Sequence, residues 1–336
     1  MSQIIRPLSI IGTGIFLPPR SISSSEIDSQ LGKPEGFAIK LSAPQKRYFV
    51  DEVTTSSEMA AKACLAALGQ ANISPNEIDL IISASSVTEQ PIPTQAVLIS
   101  RHLGLSGSGI PAYDINATCL SFLAAIDTIS DAIVVGRYKK VLIVSSEILS
   151  RGLNWKDPAS SVIFGDGAAA AILSYEPRNS RYGIIASKFE TFCEGADLCQ
   201  LRTGGTATSL EYTDFETYYA GKKYQMDGVA AYKLTAQLFP AFLSRLMVCA
   251  NLSISDIDLV IPHQASRLAL DHLISLINIP THKLIDIYAD YGNQASVSIP
   301  NALHHALISG KLKDGMKVLL AGTGAGITFG GIIMRV

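Results

Sequence analysis

An α/β protein built from two copies of one unit is what this sequence predicts, and three observations carry the prediction. The segment 71–82 (ANISPNEIDLII) recurs at 250–261 (ANLSISDIDLVI), with seven of twelve positions identical. Downstream of each copy the same elements repeat in the same order: a helix (near 93–103, and near 266–277), an Asp-Ile pair (Asp114-Ile115, and Asp286-Ile287), a second helix (to about 136, and near 297–309), and an apolar strand (140–144, and 317–320). Such ordered self-similarity marks an internal duplication, and the alternation of helix and strand marks helices packed on a mainly parallel sheet. Third, 336 residues at 48% hydrophobic and 17% charged are enough for a large buried core. The halves are assigned to 1–175 and 176–336, facing each other about a pseudo-twofold with a site between them.

The first strand is read in 8–17, an apolar run broken by Gly12 and Gly14 and ended by Pro18-Pro19-Arg20. No small-x-small cleavage site follows, so a buried strand fits better than a signal peptide. Gly12-Thr13-Gly14 lacks the third glycine and the following helix of a dinucleotide fingerprint. Residues 21–50 read as short helices and loops, and 56–70 as a Ser-capped amphipathic helix. Between the halves, 190–225 breaks the repeat with Gly204-Gly205 and an aromatic, polar stretch at 212–219. That segment fits a lid or substrate wall, and equally a surface excursion. The nearly uncharged 318–334 is about as long as a short membrane span, but its five glycines favour two strands around a tight turn. No membrane span is expected.

Composition narrows the function. A net charge of -2 without a basic run argues against a nucleic-acid binder. The five cysteines (64, 119, 193, 199 and 249) form no CxxC pair, so neither a disulfide framework nor a metal site is expected. A reducing, cytoplasmic compartment fits them.

Chemistry concentrates at three passages. Cys119 follows a strand-like stub, and Phe122, Leu123, Ile126, Ile129 and Ile133 after it lie on one helical face. A thiol at a helix N-terminus is favoured as thiolate, although free cysteine is also a common core residue. His263, in Pro262-His263-Gln264-Ala265, sits between an apolar strand and a helix, where sites are built, whereas His102, His272 and His282 read as solvated and the adjacent His304 and His305 make a poor metal pair. Asn293 follows Gly292 at a third such passage, where Gly-Asn is also an ordinary turn former. The glycine-rich bend 322–331 can bring backbone N–H groups close to an oxyanion; without Gly-Lys-Ser/Thr it is no nucleotide cradle.

The order Asp-Ile-Asn-Ala-Thr-Cys, Phe-Gly-Asp-Gly (164–167), Pro-His-Gln-Ala, Gly-Asn and a terminal glycine-rich bend resembles the β-ketoacyl-acyl-carrier-protein synthase III family of the thiolase superfamily. The resemblance spans essentially the whole chain. It implies the duplicated thiolase fold, a five-layered αβαβα arrangement, in a cytoplasmic homodimer. It further implies an acyltransferase whose Cys119 takes an acyl primer from acyl-CoA. Malonyl-acyl-carrier protein would then condense with that primer by decarboxylation. His263 and Asn293 would hold the enolate oxyanion, the backbone N–H groups of Cys119 and Ala325 would form a second oxyanion hole, and the coenzyme A thioester would be substrate, with no separate cofactor. Substrate-binding positions implied are Phe37, Lys40, Ile92, Phe164, Ser266 and Arg267.

Departures from the family pattern fall among these binding positions. Phe37 stands where Trp stacks on adenine, Leu41 where Arg is usual (with Lys40 beside it), Ser266 where Asn is frequent, and Arg267 is displaced from the arginine that meets the carrier protein. Ile92, between Pro91 and Pro93, falls in the segment that reaches into a partner's acyl pocket; being narrower than Phe, it leaves room for a longer acyl chain. Three rivals remain: non-decarboxylative condensation of two acyl-CoAs (its Glu base is replaced by Ile92, and Glu89 is out of register), acyl transfer to an oxygen or nitrogen acceptor, and a non-catalytic scaffold, which the intact Cys119, His263 and Asn293 oppose.

Overall fold

The computed structural model describes residues 4–177 and 180–336. Its first part contains β1 (Leu8–Phe16), β2 (Arg20–Ser23), α1 (Ser24–Gln30), α2 (Phe37–Lys40), β3 (Lys46–Phe49), α3 (Ser56–Ala71) and β4 (Leu80–Ser83). Next come α4 (Gln95–His102), β5 (Ala112–Asp114), α5 (Ser121–Val134), β6 (Lys140–Glu147), α6 (Pro158–Ser161) and β7 (Gly167–Tyr175). The second part has β8 (Gly183–Thr191), β9 (Cys199–Gln200), α7 (Phe215–Gly221), β10 (Gln225–Met226), α8 (Gly228–Ala250) and β11 (Leu259–Pro262). It closes with α9 (Arg267–Ile277), α10 (Tyr288–Tyr291), α11 (Ser298–Ile308), β12 (Lys317–Gly324) and β13 (Thr328–Arg335).

The duplication is visible in strand order. One sheet runs β1-β7-β6-β4-β5 and the other β8-β13-β12-β11, the same sequence of equivalents. A bridge from Val260 to Leu284 stands where the first sheet has β5. The helices α3 and α8 both end in an asparagine in the left-handed region, Asn72 (φ 54°) and Asn251 (φ 50°), the conformation that asparagine tolerates at a helix end. The expectation of mainly parallel sheets needs correction. β4 pairs in parallel with β5 and β6, and β11 with β12, but β7 and β13 run antiparallel to both of their neighbours. The reason at the chain's end is local: the tight turn after Gly324 folds β13 straight back on β12.

Alternation along the strands makes the layers. Leu80, Ile82, Val141 and Ile143 of one sheet, and Val318 and Leu320 of the other, face a common core with α5 and α11. Ile81, Leu142 and Val144 face outward onto α3 and α4, and Val260, Leu319 and Ala321 onto α8 and α9. Period-two residues buried on both faces require helices on both faces. The result is the expected five-layered αβαβα arrangement. Gly12 and Gly14 serve this packing: a Cβ on Gly14 would lie 2.3 Å from the Ala67 nitrogen, so the Gly-Thr-Gly lets α3 lie directly on β1.

Residues 21–50 are more ordered than expected. β2 and β3 pair from Arg20–Phe49 to Ser23–Lys46, and Asp28 binds the N–H groups of Gly36 and Ala38 at 2.7 Å each. No described helix is long and apolar enough to cross a membrane.

Candidate active site

Cys119 lies in the passage from β5 to α5, two residues before the helix begins. Thr118 before it has φ 54°, a rare conformation for a β-branched residue. The turn is over-determined by hydrogen bonds: Thr118 N–H donates to Asn116 Oδ1 (2.9 Å), Ser121 Oγ donates to Thr118 O (2.6 Å), and Ala117 N–H donates to Ser121 Oγ (2.9 Å). Strain held by its surroundings is typical of a functional turn.

The glycine-rich bend makes room for this turn. A Cβ on Gly324 would meet Thr118 Oγ1 at 2.5 Å, and one on Gly322 would meet His263 Cβ at 2.5 Å and Leu120 at 3.3 Å. β12 therefore carries bare backbone between the Cys119 turn and His263. The N–H groups of Ala325 and Cys119, the pair expected as an oxyanion hole, both favour the Cys119 thiolate.

Electrostatics correct one expectation. Burial pushes the Cys119 thiol up, nearby Cys199 and Glu147 push it further, and the two N–H groups only partly oppose them. Burial is the largest cause because desolvation disfavours the charged form strongly. His263 is 6% exposed, and burial lowers its pKa to about 4. It is neutral at physiological pH, the state in which imidazole holds one N–H donor and one lone pair.

Asn293 is fixed from both ends. Its Nδ2 donates to Ala265 O (3.1 Å), two residues past His263, and its Oδ1 accepts the Ala295 N–H (2.8 Å). Its backbone bridges to Phe164, with Asn293 N–H to Ile163 O at 2.8 Å and Gly165 N–H to Asn293 O at 3.0 Å. Gln294 Nε2 then donates to Asp166 O (2.8 Å), tying the turn to the Phe-Gly-Asp-Gly segment.

Of the binding positions, Phe164 joins this site. Its ring stacks on Tyr224 at 5.0 Å, in an apolar cluster against which Cys119, Trp155, Leu201 and Met226 pack. Ser266 caps α9 by accepting the Ala269 N–H (3.1 Å), and Arg267 is engaged with Asp271 (2.9 Å) and Asp286. Phe37, under the Lys33 ammonium at 5.5 Å, and Lys40 lie apart on α2, and Ile92 is 85% exposed. Glu89, the candidate base of one rival, is held by Ser57 N–H (2.9 Å) and Ser57 Oγ (2.6 Å).

Several residues here escape a reading of the sequence alone. Tyr224 and Cys199 come from the irregular 190–225 region and lie close enough to Cys119 to influence its titration. His272, expected on a solvated face, packs edge-on to Tyr232 at 5.5 Å and lines, with His263, a pocket between α8 and α9 of about 70 Å³. Glu147 is completely buried. Its signal was legible, as the lone charge in the run 141–149. Among the described residues no cluster of three or more His, Cys, Asp or Glu could hold a metal ion.

Comparison with known proteins agrees with this geometry. Residues 113–192 match the family described as 3-oxoacyl-[acyl-carrier-protein] synthase III, and 247–336 match its C-terminal counterpart. A β-ketoacyl-[acyl-carrier-protein] synthase III of Rickettsia bellii is 32% identical over 326 residues, covering 97% of this chain and 98% of that protein. The crystal structure of 3-oxoacyl-[acyl-carrier-protein] synthase III from Aquifex aeolicus superimposes with a TM-score of 0.86 at 29% identity, covering 98% of this chain and all of that one. The Pseudomonas aeruginosa counterpart gives 0.87 at 25% identity, over 98% of each chain.

Proposed function

This chain belongs to the β-ketoacyl-acyl-carrier-protein synthase III family, and we propose that it condenses an acyl primer from acyl-CoA with malonyl-acyl-carrier protein to give a 3-oxoacyl thioester. The observation that carries the reading is the meeting of three turns around bare backbone: Gly322 packs against His263 and Leu120, Gly324 against the Thr118 turn beside Cys119, and Asn293 donates to Ala265, two residues past His263.

Cys119 Sγ attacks the carbonyl carbon of the acyl-CoA, the bond to coenzyme A sulfur breaks, and the thiol proton leaves on that sulfur. The Ala325 and Cys119 N–H groups receive the oxyanion formed on the way. The malonyl group then loses its carboxylate as CO2, leaving the electron pair as an enolate. Neutral His263 and the Asn293 amide each donate a hydrogen bond to the enolate oxygen. The enolate carbon attacks the Cys119 thioester, the carbon–sulfur bond breaks, and Cys119 leaves as a thiolate that takes a proton from solvent to restore the thiol. Every step uses groups of the chain and thioester substrates, so no separate cofactor enters the scheme.

Phe164 and Tyr224 line the acyl end in this reading, and Phe37, Lys40, Ser266 and Arg267 the approach for the carriers. The units are residues 1–175, bearing the nucleophile, and 176–336, bearing the donors, with 190–225 as a wall over the site. An aliphatic side chain as exposed as Ile92 supports a homodimer in which a partner covers it. The setting is cytoplasmic. Sequestration of Glu89 on Ser57 speaks against the non-decarboxylative rival.

The test is intact-protein mass after mixing with an acyl-CoA pool from acetyl to dodecanoyl, then CO2 release on adding malonyl-carrier protein. An adduct on Cys119 that is consumed with CO2 supports the reading. An adduct that persists, with no CO2, overturns it in favour of another acyl acceptor.

A further inference from the structure

Glu147 ends β6 and is wholly buried, yet no Lys, Arg or His pairs with it among the described residues. A carboxylate in that position is costly unless its oxygens are fully hydrogen-bonded. Here Oε1 accepts from Ser86 N–H (2.6 Å), Ser86 Oγ (2.5 Å) and Ser296 Oγ (2.5 Å), and Oε2 from Val87 N–H (3.2 Å), bonds that favour the carboxylate against the burial that raises its pKa.

Those partners belong to different parts of the site. Ser86 begins the segment leading to Ile92, and its carbonyl accepts from Asn116 Nδ2 (3.1 Å), whose Oδ1 holds the Thr118 N–H beside Cys119. Ser296 lies in the turn where Ala295 N–H holds Asn293 Oδ1. From one carboxylate, short hydrogen-bonded paths run to the nucleophile turn, the Asn293 turn and the Ile92 segment.

We propose that Glu147 is a positioning residue of the condensation, one buried carboxylate that clamps the Asn293 turn and the Ser86 segment against the turn carrying Cys119. This rests on the function proposed above. A scaffold of this kind matters because donors must sit within a fraction of an ångström of the developing oxyanion. The carboxylate also acts on the thiol through space. Besides Glu147, the titratable group acting on Cys119 is Cys199; Cys119 in turn raises the Tyr224 hydroxyl, and His263, across Gly322, is neutral.

Glu147→Gln keeps the shape and removes the charge. Two measurements test the role: steady-state condensation with malonyl-carrier protein, and the pH dependence of Cys119 alkylation by iodoacetamide. Positioning predicts turnover lower by about tenfold or more, the range seen when groups supporting a first ligand are removed, with KM for the malonyl thioester within about twofold. The alkylation midpoint should move to lower pH, because a nearby anion has gone. Ser296→Ala, which cuts only the arm to Asn293, should lower malonyl decarboxylation while leaving the alkylation midpoint in place. Unchanged turnover in Glu147→Gln, or an alkylation midpoint identical to wild type, overturns the proposal. If the wild-type protein releases no CO2 at all, the functional reading fails, while the alkylation midpoint still decides whether Glu147 acts on Cys119.

Discussion

The passage after β5 in the first half and its counterpart in the second occupy equivalent places in the repeat yet carry different residues, for which the proposed function assigns opposite jobs. In the first half the turn ends in Thr118, strained at φ 54°, and offers a thiol at the mouth of α5. In the second half the strand has shrunk to the Val260–Leu284 bridge, and the turn before α11 offers Asn293, locked between Ala265 and Ala295. The helices α5 and α11 that follow fill the same central layer. In the proposed function one copy presents the nucleophile and the other presents hydrogen-bond donors, with His263 neutral at physiological pH. The frame is shared, and the two turns differ in the chemistry proposed for them.

The largest effect expected from breaking this division is at the nucleophile. Cys119→Ser should lower condensation on the order of 10^4-fold or more, measured as product formed from acyl-CoA and malonyl-carrier protein. Removing either donor of the second half should be milder and selective. His263→Ala and Asn293→Ala should each slow malonyl decarboxylation by about 10^2- to 10^3-fold, while mass spectrometry still finds Cys119 acylated; normal decarboxylation in both would contradict the division of labour.

Acid should probe the second half in particular. His263 has a folded pKa of about 4 against an ordinary value of 6.5, so the unfolded chain binds its proton first. Its contribution to stability, about 3 kcal/mol by linkage, is present above pH 6.5 and is lost as pH falls through 4. Melting temperature followed from pH 7 to 4 should drop, and His263→Gln should flatten that drop.

Smaller effects sharpen the contact between the turns. Gly322→Ala places a Cβ against His263 and should cost about 1–3 kcal/mol, read by denaturant melts, with decarboxylation impaired more than acylation. Ser266→Ala removes the cap of α9 beside the site and should cost about 1 kcal/mol with little change in turnover.

Much of the molecule was legible before any coordinates. The repeat at 71–82 and 250–261 announced two halves, and the apolar runs at 140–144 and 317–320 announced their strands. The β2–β3 ladder was missed because four-residue strands in a polar, mixed segment carry no clear period. Glu147 was passed over although a single charge inside 141–149 was visible, since only its partners at Ser86 and Ser296 show what it holds.

The repeat that announces a two-fold architecture is written along the chain, and the ordered motifs around Cys119, His263 and Asn293 carry the family resemblance from which their proposed roles come. The state of those groups was left to tertiary packing. Whether a thiol is lowered by a helix end or raised by burial depends on how much water distant segments exclude, and here residues 147, 199 and 224 sit near the sulfur of residue 119. Desolvation and hydrogen bonds between remote turns are sums over neighbours that no local pattern specifies.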